Sequence, residues 1–141
     1  PGTDVKATRA VLALNGASAT PILASVDIFE SKDEKTNSQL DGIEFLQMPW
    51  LLGKNNAANV FVSQLKPLPS ARSLSGSRLN AFGIDAWLIS THLQAWLNNP
   101  NGTLNGASGN LHLEPNGTIE RTLPWSIYRN GFPATADGNQ P

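Results

Sequence analysis

The longest regular hydrophobic pattern in the chain lies in residues 78–97, RLNAFGIDAWLISTHLQAWL. Apolar side chains recur there at alternating spacings of three and four, which is the period of an α-helix with one buried stripe. A helix of this length has to pack along its whole side, so the chain needs a sheet or further helices to cover it. The predicted stripe contains Leu79, Phe82, Ala86, Ile89, Leu93 and Trp96.

A β-hairpin is predicted shortly after this helix, in residues 106–125. Its turn is Pro115-Asn116-Gly117, in which proline presets φ and the Asn-Gly pair tolerates positive φ. Alternating apolar residues flank the turn on both sides, which favours two paired strands. The remaining C-terminal residues are expected to form turns and ribbon.

The first half of the chain predicts a helix and two strands. Residues 3–14 carry apolar side chains at helical spacing and end at Asn15-Gly16, a typical helix stop. Residues 20–29 and 42–48 are apolar runs of strand length, and residues 55–65 favour a further helix. This order of elements predicts an α/β protein. Two strands make a poor sheet on their own, so about half of a doubly wound domain is expected to be missing.

Composition excludes several classes of function. Ten Lys and Arg against eleven Asp and Glu give a formal net charge of −1, so we expect no nucleic-acid partner. The sequence has no cysteine, which excludes disulfides, thiolate metal sites and a cysteine nucleophile in this chain. No apolar run approaches the roughly 20 residues that span a bilayer. Because the chain begins with Pro1, we expect a piece of a longer protein whose targeting signals lie upstream.

Motifs for catalysis and metal binding are weak. Ser63 and Lys66 have the S-x-x-K spacing of penicillin-recognising enzymes, but the companion motifs S-D-N and K-T-G are absent. His92 and His112 do not have the i, i+4 spacing of a helical metal site. We therefore expect no catalytic residue, no cofactor and no metal, and an enzyme that uses Ser63 and Lys66 stays open as a third hypothesis.

Two of the four tryptophans follow a proline where a predicted strand ends, Trp50 in MPW and Trp125 in LPW. The residue before a proline is restricted to extended conformations, so such a corner directs the chain out of the strand. Two interpretations of these indole rings stay open. They line a cleft or a hinge, or each closes the edge of a domain.

Three motifs in the second half of the chain form a recognisable set. The long helix carries Gly-x-Asp-Ala-Trp at 83–87, the ribbon carries Gly-x-Ser-Gly at 106–109, and an Arg-x-Leu-Pro-Trp segment follows at 121–125. The set resembles the YraM/LppC lipoprotein family of penicillin-binding protein activators, and the resemblance extends over nearly the whole chain. It implies the C-terminal portion of a two-lobed type I periplasmic-binding-protein fold, present as an incomplete fragment.

By this resemblance the chain passes between two lobes. It implies that residues 1–47 are part of the C-terminal lobe and residues 48–113 part of the N-terminal lobe. Residues 114–141 would form the return crossing and the terminal strands of the C-terminal lobe. Such a fragment exposes strand edges and apolar faces, so we expect marginal stability or pairing of two copies as a homodimer.

The resemblance also implies a regulator with no catalysis of its own. The regulator would be an outer-membrane lipoprotein in the periplasm that binds a class A penicillin-binding protein and stimulates its transpeptidase, with a lipid anchor outside this chain. The alternative is a periplasmic solute-binding module for an amino acid or small peptide, which ligand-dependent thermal stabilisation would reveal. Exposed arginine and aromatic residues dominate binding hot spots, so Arg72, Tyr128 and Arg129 are the expected partner contacts.

Overall fold

The computed structural model of the chain describes residues 2–29, 37–53, 61, 74–99 and 102–136. Its helices are α1 (Gly2–Leu14), α2 (Pro49–Leu52) and α3 (Leu74–Asn98), and short 3-10 turns lie at Val26–Ile28 and Ser38–Leu40. Its strands are β1 (Leu23–Ala24), β2 (Glu44–Leu46), β3 (Thr103–Asn105), β4 (Asn110–Leu113), β5 (Ile119–Thr122), β6 (Trp125–Arg129) and β7 (Phe132–Thr135). The predicted α/β class is confirmed.

The chain divides into two compact units. Unit 1 contains Pro1–Gln47 and Trp125–Pro141, and unit 2 contains Met48–Pro124. The hairpin of β4 and β5 lies wholly in unit 2, because β5 pairs with β4 in the sheet of that unit. The return to unit 1 comes after Pro124. The assignment of residues 48–113 and 114–141 to different lobes stays a prediction.

Unit 1 is built on a four-stranded sheet in the order β1-β2-β6-β7. β1 and β2 are parallel, whereas β6 is antiparallel to both β2 and β7. On the inner strands, the rings of Phe45 and Tyr128 stack with centroids 4.9 Å apart and planes inclined by 22°. This stack lies in the core of unit 1, whose other buried apolar side chains include Ile28, Phe29, Leu40 and Ile43.

The first strand is much shorter than the sequence predicted. Of residues 20–29, only Leu23–Ala24 form a strand, and the chain then tightens into the 3-10 turn Val26–Ile28. Ile28 and Phe29 are nevertheless buried. An apolar run indicates burial without deciding the backbone geometry, so the prediction of one long strand was wrong here.

Unit 2 combines α3 with a three-stranded antiparallel sheet in the order β3-β4-β5. Trp96, Leu111 and Leu113 form a buried apolar cluster, and Ile89 and Leu104 pack against it. The predicted long helix and the predicted hairpin are both confirmed. Although α3 is the longest helix of the described residues, neither it nor any other helix among them meets the length and hydropathy that a membrane span requires.

The buried side of α3 matches the predicted stripe only in part, because Trp96 is buried and Ile89 packs against its cluster, but other members of the stripe are exposed. Ala81, Ile84 and Leu88 are buried, whereas Leu79 is 68% exposed and Leu93 is 42% exposed. The helix carries apolar residues on more than one side, so spacing alone does not decide which side packs against the rest of unit 2. Part of its apolar surface is therefore left exposed.

Candidate functional site

A buried carboxylate joins α3 to the loop between β3 and β4. Asp85 is 3% exposed. Its oxygens accept hydrogen bonds from the N–H of Ala107 at 2.5 Å, from the N–H of Ser108 at 2.9 Å and from the Ser108 hydroxyl. A carboxylate removed from water needs such donors to replace its hydration. Asp85 therefore fixes the loop to the helix.

The glycines of the Gly-x-Ser-Gly motif lie at two close approaches beside this carboxylate. A Cβ atom on Gly106 would lie 2.6 Å from Oδ1 of Asp85, and one on Gly109 would lie 2.6 Å from the carbonyl oxygen of Thr122. Gly109 also has a φ of +155°, which side chains disfavour. The motif thus contains two positions at which only a glycine fits. It also contains a serine whose hydroxyl donates a hydrogen bond to Asp85.

The short helix α2 holds the same loop from another direction. Pro49 starts α2, and Gly53 ends it with a φ of 69°. The N–H of Trp50 donates to the carbonyl oxygen of Ala107 at 3.0 Å. Ala107 is thus bound through its N–H by Asp85 and through its carbonyl by Trp50, so three segments of unit 2 meet at one residue.

A surface depression of about 370 Å³ lies beside this junction. Arg121 of β5 lines it, with Cζ 4.9 Å from the centroid of the Phe82 ring, which is a cation–π geometry. Within the part of the chain that the structure describes, no carboxylate forms an ion pair with Arg121. The apolar lining comes from Phe82, Ala86, Ile89, Leu111 and Ile119. We call this feature the Arg121 depression.

The three residues expected to contact a partner differ in their exposure and in whether the structure describes them. Tyr128 is 0% exposed, because β6 is an inner strand and this side of it faces the core of unit 1. The expectation of an exposed tyrosine is therefore not met. Arg129, the next residue, is exposed at the end of β6. Arg72 lies outside the described residues.

Trp50 and Trp125 lie close in sequence to the points where the chain passes between the units. The chain enters unit 2 at Met48 and returns to unit 1 at Trp125. Both tryptophans are half-buried. Trp125 begins β6 and pairs with Leu46, the last residue of β2. A role at a hinge or cleft stays a prediction for both.

The candidate catalytic and metal-binding residues form no constellation in the described parts of the chain. Nε2 of His112 lies 3.6 Å from Oε1 of Glu114, and Nδ1 of His92 lies 2.8 Å from the carbonyl oxygen of Leu88. Within the described ranges, no three His, Asp or Glu residues are grouped so as to hold a metal ion. Ser63 and Lys66 fall outside those ranges.

Each of the two units is a mixed α/β structure, with a sheet and at least one helix. A family model described as "LppC putative lipoprotein" matches residues 2–131. The chain therefore belongs to the LppC lipoprotein family, as its motifs indicated.

Curated relatives of the chain bear the name penicillin-binding protein activator LpoA. The protein of Pectobacterium parmentieri is 36% identical over 94 residues, which are 66% of this chain and 13% of that protein. The protein of Edwardsiella ictaluri is 32% identical over 93 residues, with the same coverage of 66% and 13%. The chain thus spans 13% of the length of these relatives.

Solved structures show the same fold. Full-length LpoA from Haemophilus influenzae matches with a TM-score of 0.74 and 22% identity, over 96% of this chain and 25% of that one. The LpoA (YraM) C-domain of that organism, called a regulator of PBP1A, matches with the same score and identity over 96% of this chain and 42% of that one. These likenesses confirm the predicted fold class.

Proposed function

We propose that this chain is part of a non-catalytic regulator of peptidoglycan synthesis that binds and activates a class A penicillin-binding protein. The observation that carries the proposal is the match of the LppC family model over residues 2–131. Relatives named penicillin-binding protein activator support the same role. A solved relative of the same fold is itself called a regulator of PBP1A.

The proposal includes a location. The LppC family is one of lipoproteins, which supports a periplasmic protein tethered to the inner face of the outer membrane. A lipid anchor of the usual kind needs a cysteine, and this chain has none, so the anchor would belong to another part of a longer protein. We further propose that unit 1 is part of a C-terminal lobe and unit 2 part of an N-terminal lobe.

Pairing of two copies of the chain is a separate proposal. Within the described residues β1 lies at an edge of the sheet, with β2 as its neighbour. Strand edges and exposed apolar residues such as Leu79 favour self-association. Light scattering at increasing protein concentration measures it directly, and a constant monomer mass contradicts it.

Interferometry tests the central proposal. The purified periplasmic region of a class A penicillin-binding protein is immobilised, and the chain is compared with the periplasmic part of a full-length LppC-family protein. Saturable binding of the chain, weakened by Arg72→Glu or Arg129→Glu, is expected. Binding by the longer protein alone would place the docking surface outside these residues. Binding by neither would contradict the proposed function.

A further inference from the structure

We propose that the Arg121 depression of unit 2 is a docking site for a partner segment that carries a carboxylate next to an aliphatic side chain. The inference rests on the proposed function, since the partner is taken to be a penicillin-binding protein. Three features of the described residues support it.

The first feature is a positive charge that forms no ion pair with a carboxylate of the described residues. Arg121 is exposed, and its guanidinium lies over the Phe82 ring, with Cζ 4.9 Å from the ring centroid. Asp85 also lines the depression, but its carboxylate already accepts three hydrogen bonds from Ala107 and Ser108. A positioned guanidinium matches a carboxylate through two parallel hydrogen bonds. Since no described carboxylate pairs with Arg121, a carboxylate of a partner can bind it.

The second feature is the apolar lining around this charge. Phe82 is 43% exposed and is one of several apolar residues of α3 that the rest of unit 2 leaves uncovered. Ile119, two residues from Arg121 on β5, and Leu111, the residue paired with Arg121 on β4, also line the depression. A volume of about 370 Å³ accommodates one or two side chains rather than a folded element. An aliphatic side chain beside the carboxylate would fill it.

The third feature is the continuation of the depression along α3. Phe82, Ala86 and Ile89 line it and recur at spacings of four and three. Leu93 follows four residues later on the same side of the helix and is exposed. An extended segment thus has a second apolar contact one turn beyond the depression. This arrangement fits a linear peptide segment better than a small solute.

A peptide titration tests this chemistry without the penicillin-binding protein. The ¹⁵N-labelled chain is titrated with acetyl-Asp-Leu-Leu-amide, and acetyl-Asn-Leu-Leu-amide serves as the neutral control. We expect the amide signals of Ser108, Leu111 and Arg121 to shift, with an affinity at least tenfold higher for the acidic peptide. The Arg121→Glu variant should lose the response. An equal response to both peptides, or none, overturns the proposal.

Two variants extend the test to the protein partner in the interferometry assay. Arg121→Glu is expected to weaken binding at least tenfold, whereas Thr122→Glu is expected to bind as the original chain does. Thr122 is the matched control because it is the next residue of β5 and its side chain is on the other side of the strand. Circular dichroism and the amide spectrum establish that both variants are folded.

The outcomes separate this inference from the proposed function. Binding of the original chain together with undiminished binding of Arg121→Glu overturns the docking site and leaves the proposed function intact. Failure of the original chain and of the longer protein to bind overturns the proposed function, and the peptide response still decides the chemistry of the site. A dimer that Arg121→Glu dissociates would identify a second copy as the occupant. If a longer family protein does not respond to the acidic peptide although the chain does, residues of that protein outside the chain cover the site.

Discussion

The Asp85 carboxylate accepts the N–H of Ser108 at 2.9 Å, although the two residues are 23 positions apart in the sequence. With the bonds from the Ala107 N–H and the Ser108 hydroxyl, this contact makes α3 and the β3–β4 loop a single structural element. The Arg121 depression lies against that element, so its shape depends on the same carboxylate.

Replacing Asp85 by Ala is expected to lower the free energy of unfolding of unit 2 by about 3 kcal/mol, because buried donors of Ala107 and Ser108 lose their acceptor. Hydrogen exchange of the β4 amides measures this within unit 2. Glu120→Ala is the control, since Glu120 is an exposed acidic residue of the same unit. Its expected effect is within about 0.5 kcal/mol. Equal losses in the two variants would contradict the role given to Asp85.

Gly106→Ala is expected to destabilise unit 2 by about 1–3 kcal/mol, because the new methyl group would lie 2.6 Å from the Asp85 oxygen and push it away from its donors. Gly83→Ala is the matched control. Its methyl group meets nothing within 4 Å, and alanine is the better helix former by about 1 kcal/mol, so it should stabilise α3. Thermal unfolding followed by circular dichroism should move in opposite directions for the two variants. Two shifts of the same sign would refute the steric argument.

Local signals made α1, α3 and the β4–β5 hairpin predictable. The signals are the helical spacing of apolar residues, the stop residues and the Asn116-Gly117 turn, and each of them acts over a few residues. No local pattern marked β6 and β7, and only the family resemblance implied terminal strands in residues 114–141, because β6 is defined by pairing with β2, which lies far away in the sequence. The same non-local pairing buries Tyr128, which is why its expected exposure was not met.

The candidate site was partly visible in the sequence. The family motifs contain Asp85, Gly106, Ser108 and Gly109, but spacing does not reveal that the carboxylate of the first binds the loop formed by the others. Arg121 was part of a motif and was not singled out as a contact. Its placement over Phe82 depends on how β5 packs against α3, which is a tertiary relationship.

Tyr128 and Arg129 should respond in opposite ways to substitution. Tyr128→Ala removes a buried ring stacked on Phe45 and is expected to cost about 3–5 kcal/mol of unfolding free energy in unit 1. Arg129→Ala changes an exposed side chain, and its expected effect on stability is within about 0.5 kcal/mol. Urea denaturation monitored through the amides of β6 provides the measurement. A stable Tyr128→Ala variant would contradict the assigned core position.

The last prediction concerns the turn between β6 and β7. Asn130 and Gly131 have φ values of 54° and 76°, which fits the asparagine-glycine turn that matches the twist of a hairpin. The N–H of Gly131 also donates to Oδ1 of Asp41 at 2.8 Å. Asn130→Ala is expected to cost about 1 kcal/mol, because alanine tolerates positive φ poorly, whereas Asn130→Gly should be nearly neutral. Hydrogen exchange of the β7 amides distinguishes them: faster exchange in the alanine variant alone supports the argument, and equal exchange in both variants contradicts it.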